Sequence, residues 1–306
     1  MTDSTANGLR AVKHLPISRE ELQVPVGPRR ASAAGLAVVA ASRPTRVIVH
    51  YGAWFVARTF GGRALPGPVG PVVTPLADVV WEALLAQWRD ELGPFDAVAV
   101  AKRRQSQRGG FHVLLFDGSR ATAFIKIRST PEPLDTERRC LEAISADPRA
   151  PFRVCSPIAM GCVETNHWLA ITPLVGLPHH PARSRAVPEA LRYLDRALEG
   201  VVSSPGAPAD WRPAHGDFAA WNFRQVGRQR WLLDFENASL APPDADAVYW
   251  AVVATALGAR RRRRLAESQA VEFWRQHIRE RLQGSIDPEL NGALGIALGL
   301  HDEPRD

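Results

Sequence analysis

Two aspartates and an asparagine stand among apolar residues between positions 215 and 236. They fall in His215-Gly216-Asp217-Phe218-Ala219-Ala220-Trp221-Asn222 and in Trp231-Leu232-Leu233-Asp234-Phe235-Glu236. Asp234 follows Asn222 by twelve residues. Such a set suits transfer of a phosphoryl group, which needs little covalent help from a protein but strong positioning and charge neutralisation. One carboxylate takes or orients the proton of an attacking hydroxyl. A second carboxylate and an amide oxygen hold magnesium, which prefers hard oxygen ligands and takes few of them from the protein. Each residue alone has a plainer reading: Asp217 as a helix cap, Asp234 as a turn former.

The pattern His-Gly-Asp, four residues, Asn, then Asp-Phe-Glu resembles the aminoglycoside phosphotransferase and choline kinase group, small-molecule relatives of the protein kinases. Protein kinases carry His-Arg-Asp and Asp-Phe-Gly at these places. Gly216 and Glu236 depart from them as the small-molecule kinases do, and no Ala-Pro-Glu segment follows Glu236. The resemblance implies Asp217 as catalytic base, with Asn222 and Asp234 holding magnesium. It makes Glu236 a metal contact or a neighbour of one, and His215 a brace for the loop.

Other parts of the pattern lie upstream. Lys126, in Ala123-Phe124-Ile125-Lys126-Ile127, stands where the family has its phosphate-binding lysine. Glu137 stands where the family has the acid that pairs with it, and Glu142 is the alternative partner. Asp246 resembles the structural aspartate that follows the metal loop. Gly109-Gly110, near Arg103, Arg104, Ser106 and Arg108, is the place for a phosphate-binding turn. It lacks the spaced glycines of a full phosphate loop. ATP and Mg2+ are the implied cofactors, and a small-molecule hydroxyl the implied acceptor. The resemblance spans about residues 95–255.

The elements that must hold these residues follow from hydrophobic period and turn chemistry. Strands are expected over 96–101, 111–116 and 121–128, with a basic turn at 102–110 and a hairpin at Asp117-Gly118. A helix over 134–145 carries Glu137, and two short strands follow around 154–159 and 168–171. Beyond Pro173 the pattern is mostly helical. The fold class is therefore α+β and protein-kinase-like: a small antiparallel sheet with one helix at 94–172, then a larger helical lobe at 173–306. Residues 1–93 form a mostly helical N-terminal extension. Within it, 1–30 reads as irregular, 31–60 as two short helices, 61–75 as a linker, and a helix begins at Pro75 capped by Thr74.

Of 306 residues, 45% are hydrophobic and 23% charged, ordinary for a soluble globular protein. Three cysteines at uneven spacing give neither a disulfide framework nor a metal pattern. The polar N-terminus shows no secretory signal, no membrane span is expected, and the cytoplasm is the expected compartment. The formal charge of +6 arises before residue 179, since residues 179–306 hold 17 basic and 17 acidic side chains. No recognition motif accompanies the arginines, so no nucleic-acid partner is expected, and the run Arg260–Arg264 reads as a solvated helix end. The balanced second half favours a sugar, glycoside or amino alcohol as acceptor over a polycationic aminoglycoside. Trp221, Trp250 and Trp274 read as core residues before stacking platforms. The competing reading is a catalytically silent pseudokinase scaffold, whose usual mark, loss of the lysine, the base or a metal ligand, is absent.

Overall fold

Alternating small and branched side chains in 97–128 build a sheet buried on both faces. The structure is a computed structural model and describes residues 8–17, 20–103, 110–258 and 265–300. Gly109, Arg104, Ser106, Arg108 and the run 260–264 lie outside the described residues. The chain divides into two units, one of residues 1–134 with 155–180, the other of 135–154 with 181–306.

The first unit holds β1 (Val12–Ile17), β2 (Glu20–Pro25), α1 (Arg29–Leu36), α2 (Pro44–Phe60), β3 (Val69–Gly70) and α3 (Asp78–Leu92). It continues with β4 (Ala97–Arg103), β5 (Gly110–Asp117), β6 (Arg120–Arg128), β7 (Pro157–Val163) and β8 (Asn166–Ile171). All eight strands join one antiparallel sheet in the order β3-β1-β2-β4-β5-β6-β8-β7. The expected strands and the Asp117-Gly118 hairpin are present, within a few residues of their expected bounds. Residues 1–30, expected to be irregular, instead supply β1 and β2 and widen the sheet beyond β4. Those strands are short, and β2 ends on a proline, which hides their alternation in the sequence.

Strand period assigns the two faces. Val98, Val100, Phe111, Val113, Leu115, Ala123, Ile125, Ile127, Trp168 and Ala170 point to α3, whose Trp81, Leu84, Leu85 and Trp88 recur at helical spacing. Ala97, Ala99, Leu114 and Phe116 point the other way and meet Ala31 and Ala34 of α1, with Phe124 packed against them. Helix α3 starts at Asp78 rather than Pro75, and its N-cap, Ala77, makes no side-chain capping bond. Thr74 caps the turn before it, accepting the Leu76 N–H at 3.4 Å. Asp78 in the first turn complements the helix dipole.

The second unit takes most of α4 (Glu132–Ser145) and, after β9 (His179–Pro181) where the chain passes between units, α5 (Val187–Ala197). Four short strands follow: β10 (Arg212–Ala214), β11 (Phe223–Val226), β12 (Gln229–Leu232) and β13 (Ser239–Ala241). Helices α6 (Ala245–Ala256), α7 (Gln269–Gln283) and α8 (Pro288–Leu298) complete it. Phe152, Tyr193, Phe218, Phe223 and Trp250 form an aromatic core of edge-on and tilted pairs, with ring centroids 5.2–6.2 Å apart. No described helix is long and apolar enough to cross a membrane.

Trp88 is fully buried and stands edge-on to Trp81 at 5.6 Å and Trp168 at 6.3 Å. Trp88→Ala is expected to destabilise the first unit by about 3–5 kcal/mol. Urea denaturation followed by circular dichroism should show an earlier midpoint.

Candidate active site

Two strand pairs suspend two loops side by side. β10 pairs with β13, and β11 with β12, all antiparallel. The loop 215–222 runs from β10 to β11, and the loop 233–238 from β12 to β13. Cross-bonds tie them together: Leu233 N–H donates to Asn222 O at 3.1 Å, and His215 Nε2 donates to Leu233 O at 3.0 Å.

His215 is fully buried. With Nε2 donating, Nδ1 is left as an acceptor, and it takes the Asp217 N–H at 3.3 Å. Its ring packs on Phe235, centroids 4.5 Å apart. The imidazole therefore bridges the loops and has no nitrogen left over for acid–base work. Gly216 has φ +74, and a Cβ there would lie 2.1 Å from the Asn237 carbonyl oxygen. Only glycine fits.

Asp246, in the first turn of α6, anchors this loop. Its Oδ2 accepts the His215 N–H at 2.7 Å and its Oδ1 the Gly216 N–H at 3.1 Å. Burial pushes its carboxyl up to about 6, although the two N–H bonds pull the other way.

Asp217 follows at once, with its carboxylate held from several sides. Trp221 Nε1 donates to Oδ2 at 3.1 Å, and Asn222 Nδ2 donates to Oδ2 and to the Asp217 carbonyl, both at 2.9 Å. The Tyr249 phenol lies beside it; burial first, and the Asp217 charge second, raise its pKa and keep it protonated. With Nδ2 of Asn222 committed to Asp217, its Oδ1 is the atom left for a cation. Trp250 and Trp274 are core, 6% and 2% exposed. Trp221 is different, because its indole N–H serves the catalytic candidate. Sequence reading missed that role; a donor-bearing ring four residues after Asp217 was the available signal.

Asp234 has φ +68, a left-handed conformation unusual for a non-glycine residue. One carboxylate oxygen each from Glu137, Asp234 and Glu236 lie within 4.8 Å of one another. Glu137 is 1% exposed, and one of its oxygens accepts the Phe235 N–H at 3.4 Å. Three carboxylates this close repel unless a cation or protons answer them. An all-oxygen donor set of this kind fits Mg2+. Glu137, expected as a partner for Lys126, thus also belongs to a carboxylate group that its sequence position did not reveal.

Lys126 lies on β6 in the first unit, 4% exposed, opposite His112 of β5 and Leu169 of β8. Strand period puts it on the same sheet face as Phe124. Gly110 opens β5 with φ +140, and a Cβ there would lie 2.3 Å from the Ile127 carbonyl oxygen. Close approach of two strands is reason enough for this glycine.

No protein-family model matches the sequence, nor does any of the curated proteins. Similar solved structures exist at low identity. An apo thermostable mutant of aminoglycoside phosphotransferase APH(4)-Ia is 9% identical, with a TM-score of 0.48 over 71% of this chain and 98% of that one. A GDP complex of aminoglycoside 2'-phosphotransferase-IIIa is 12% identical, with a TM-score of 0.45 over 72% and 96%. An amicoumacin kinase, hAmiN, bound to AMP-PNP and Ca2+, is 10% identical, with a TM-score of 0.41 over 73% and 79%.

Asp246→Ala leaves the buried His215 N–H and the half-buried Gly216 N–H without their acceptor and should cost about 1–3 kcal/mol for the first and less for the second. The carboxyl also has a pH signature. Its pKa is raised in the folded chain, so between about 4 and 6 the native state binds a proton that the unfolded state has released. Its contribution to stability is therefore greatest at the acid end and falls as pH rises through that window, by at most about 1.4 kcal/mol per pH unit. Denaturant midpoints of wild type and Asp246→Asn, compared from pH 4 to pH 7, should show that slope only in the wild type.

Proposed function

We propose that this chain transfers the γ-phosphoryl group of ATP to a hydroxyl of a small molecule. The observation that carries this reading is the fixed Asp217 carboxylate, one backbone bond away from a loop that presents Asp234 and Glu236. Asp217 accepts the hydroxyl proton as the new O–P bond forms and the bond from the γ-phosphorus to the β–γ bridging oxygen breaks, leaving ADP. Trp221 and Asn222 hold the carboxylate through Oδ2 in one orientation. Asn222, through Oδ1, and Asp234 would hold Mg2+, with Glu236 and Glu137 adding negative charge beside them. When bound, the ion neutralises phosphate charge as it develops.

Lys126 would answer the remaining phosphate charge. An ammonium 4% exposed persists only where anionic groups meet it. The Gly109-Gly110 pair before β5 remains the candidate for a phosphate-binding turn. The balanced charge of residues 179–306 favours a neutral or mildly charged acceptor, such as a sugar, glycoside or amino alcohol. The cytoplasm, which supplies ATP, is the compartment this reading expects.

Incubation with Mg-ATP and a panel of sugars, amino alcohols and aminoglycosides, read by mass spectrometry, should give a product heavier by one phosphoryl group. Asp217→Asn should lower turnover about 10²–10⁴-fold with nucleotide binding kept. Asp234→Ala should abolish Mg2+-dependent nucleotide binding. If Asp217→Asn turns over at the wild-type rate, the assignment of the base is wrong. Nucleotide binding with no turnover of any acceptor by the wild type would favour the scaffold reading.

A further inference from the structure

Lys126 shares its sheet face with a helix of the chain's own N-terminal segment. On that face the apolar surface includes Ala97 and Ala99 of β4, Leu114 and Phe116 of β5, and Phe124 of β6. Ala31 and Ala34 of α1 are packed onto it. The approach is close: a Cβ on Gly35 would stand 3.1 Å from the Ala99 Cβ and 3.1 Å from Val24 Cγ1. The segment leaving β8 is held by the same N-terminal residues. Trp54 Nε1 donates to Gly176 O at 3.0 Å, His179 Nε2 to Ala37 O at 3.1 Å, and the Tyr51 hydroxyl to Pro178 O at 3.4 Å.

A nucleotide whose phosphates meet the Lys126 ammonium needs an apolar surface nearby for its base. α1 covers the part of that face formed by β4, β5 and Phe124, and Leu169 and Ile171 of β8 continue it beside Lys126. Resting on the ATP-dependent reading above, we propose that α1 and α2 form an autoinhibitory cover. Nucleotide binds only to molecules in which α1 has left the β4–β6 face.

The packing of α1 suits a removable element. It buries alanines, a glycine, a serine and one leucine, whereas α3 buries two tryptophans, two leucines and a valine on the opposite face. Burial free energy scales with apolar area, so α1 is held far more weakly than α3. Its polar anchors are few: Ser32 Oγ donates to Pro25 O at 2.6 Å and accepts the Gly62 N–H at 3.1 Å. Gly27-Pro28 before α1 and the irregular residues 40–42 after it can absorb a backbone rotation. The apparent nucleotide affinity is then the intrinsic affinity scaled by the open fraction.

A reversible lock tests this. Gly35→Cys with Ala99→Cys, in a Cys162→Ser background, puts two Cβ atoms a few tenths of an ångström from disulfide range. The probe is a fluorescent ATP analogue with Mg2+, titrated by anisotropy into oxidised and reduced protein. Oxidation is expected to weaken binding at least tenfold, and reductant to restore it. Trp54→Phe, which removes one bond of the cover and nothing near the candidate catalytic residues, should bind about three- to tenfold more tightly than wild type. Equal binding by oxidised and reduced protein, or by Trp54→Phe and wild type, overturns the proposal while leaving the nucleotide reading intact. Failure of every form to bind overturns both.

Discussion

Asp246 accepts the backbone N–H groups of His215 and Gly216 from the first turn of α6, and the geometry of the second unit's site hangs on that pair of bonds. A carboxylate buried so deeply is unstable unless hydrogen-bonded. The two N–H groups answer it, and it in turn answers two donors that a sharp loop would otherwise leave unmatched. The loop must then turn at Gly216 with positive φ, pressed on the Asn237 carbonyl. Asp217 leaves that turn in one fixed direction. Its carboxylate is then held through Oδ2 by Trp221 and Asn222.

The second loop is fixed by the first. His215 reaches across to Leu233, and Leu233 reaches back to Asn222. This double bridge lets Asp234 persist at φ +68, a conformation that costs on the order of 1–3 kcal/mol and survives only where its surroundings over-determine it. Beside it, one carboxylate oxygen each from Asp234, Glu236 and Glu137 lie within 4.8 Å of one another. A cation held among these carboxylates would reduce their mutual repulsion and so steady the loop.

Much of this was legible from sequence. The two loops announce themselves because glycine, aspartate and asparagine sit amid apolar residues at fixed spacing. Lys126 and Glu137 could be placed on a strand and a helix from period alone. Other features were not legible. The strands β1 and β2 are short and proline-marked, so their alternation is lost in the local pattern, and only pairing with β4 gives them reason to be strands. The Trp221 indole bond to Asp217 depends on a loop turning back on itself, which residue spacing does not encode. Membership of Glu137 in the carboxylate group is a tertiary fact. So is α1 on the Lys126 face, because a run of alanines fits any small gap and names none.

The choice of side chains around Lys126 links the two ends of the problem. Only three of the chain's 38 basic residues are lysines. The one on β6 is 4% exposed, two residues from Phe124 and opposite His112. Arginine keeps its charge under burial and spreads it over a wide fork, while lysine gives a compact point charge on a slim stem. On a face where α1 packs closely over alanines of β4, a slim stem fits more readily than a guanidinium fork. Under the proposals above, phosphate and the packing of α1 would set the same requirement for a small cation, and a substitution at 126 would register in both.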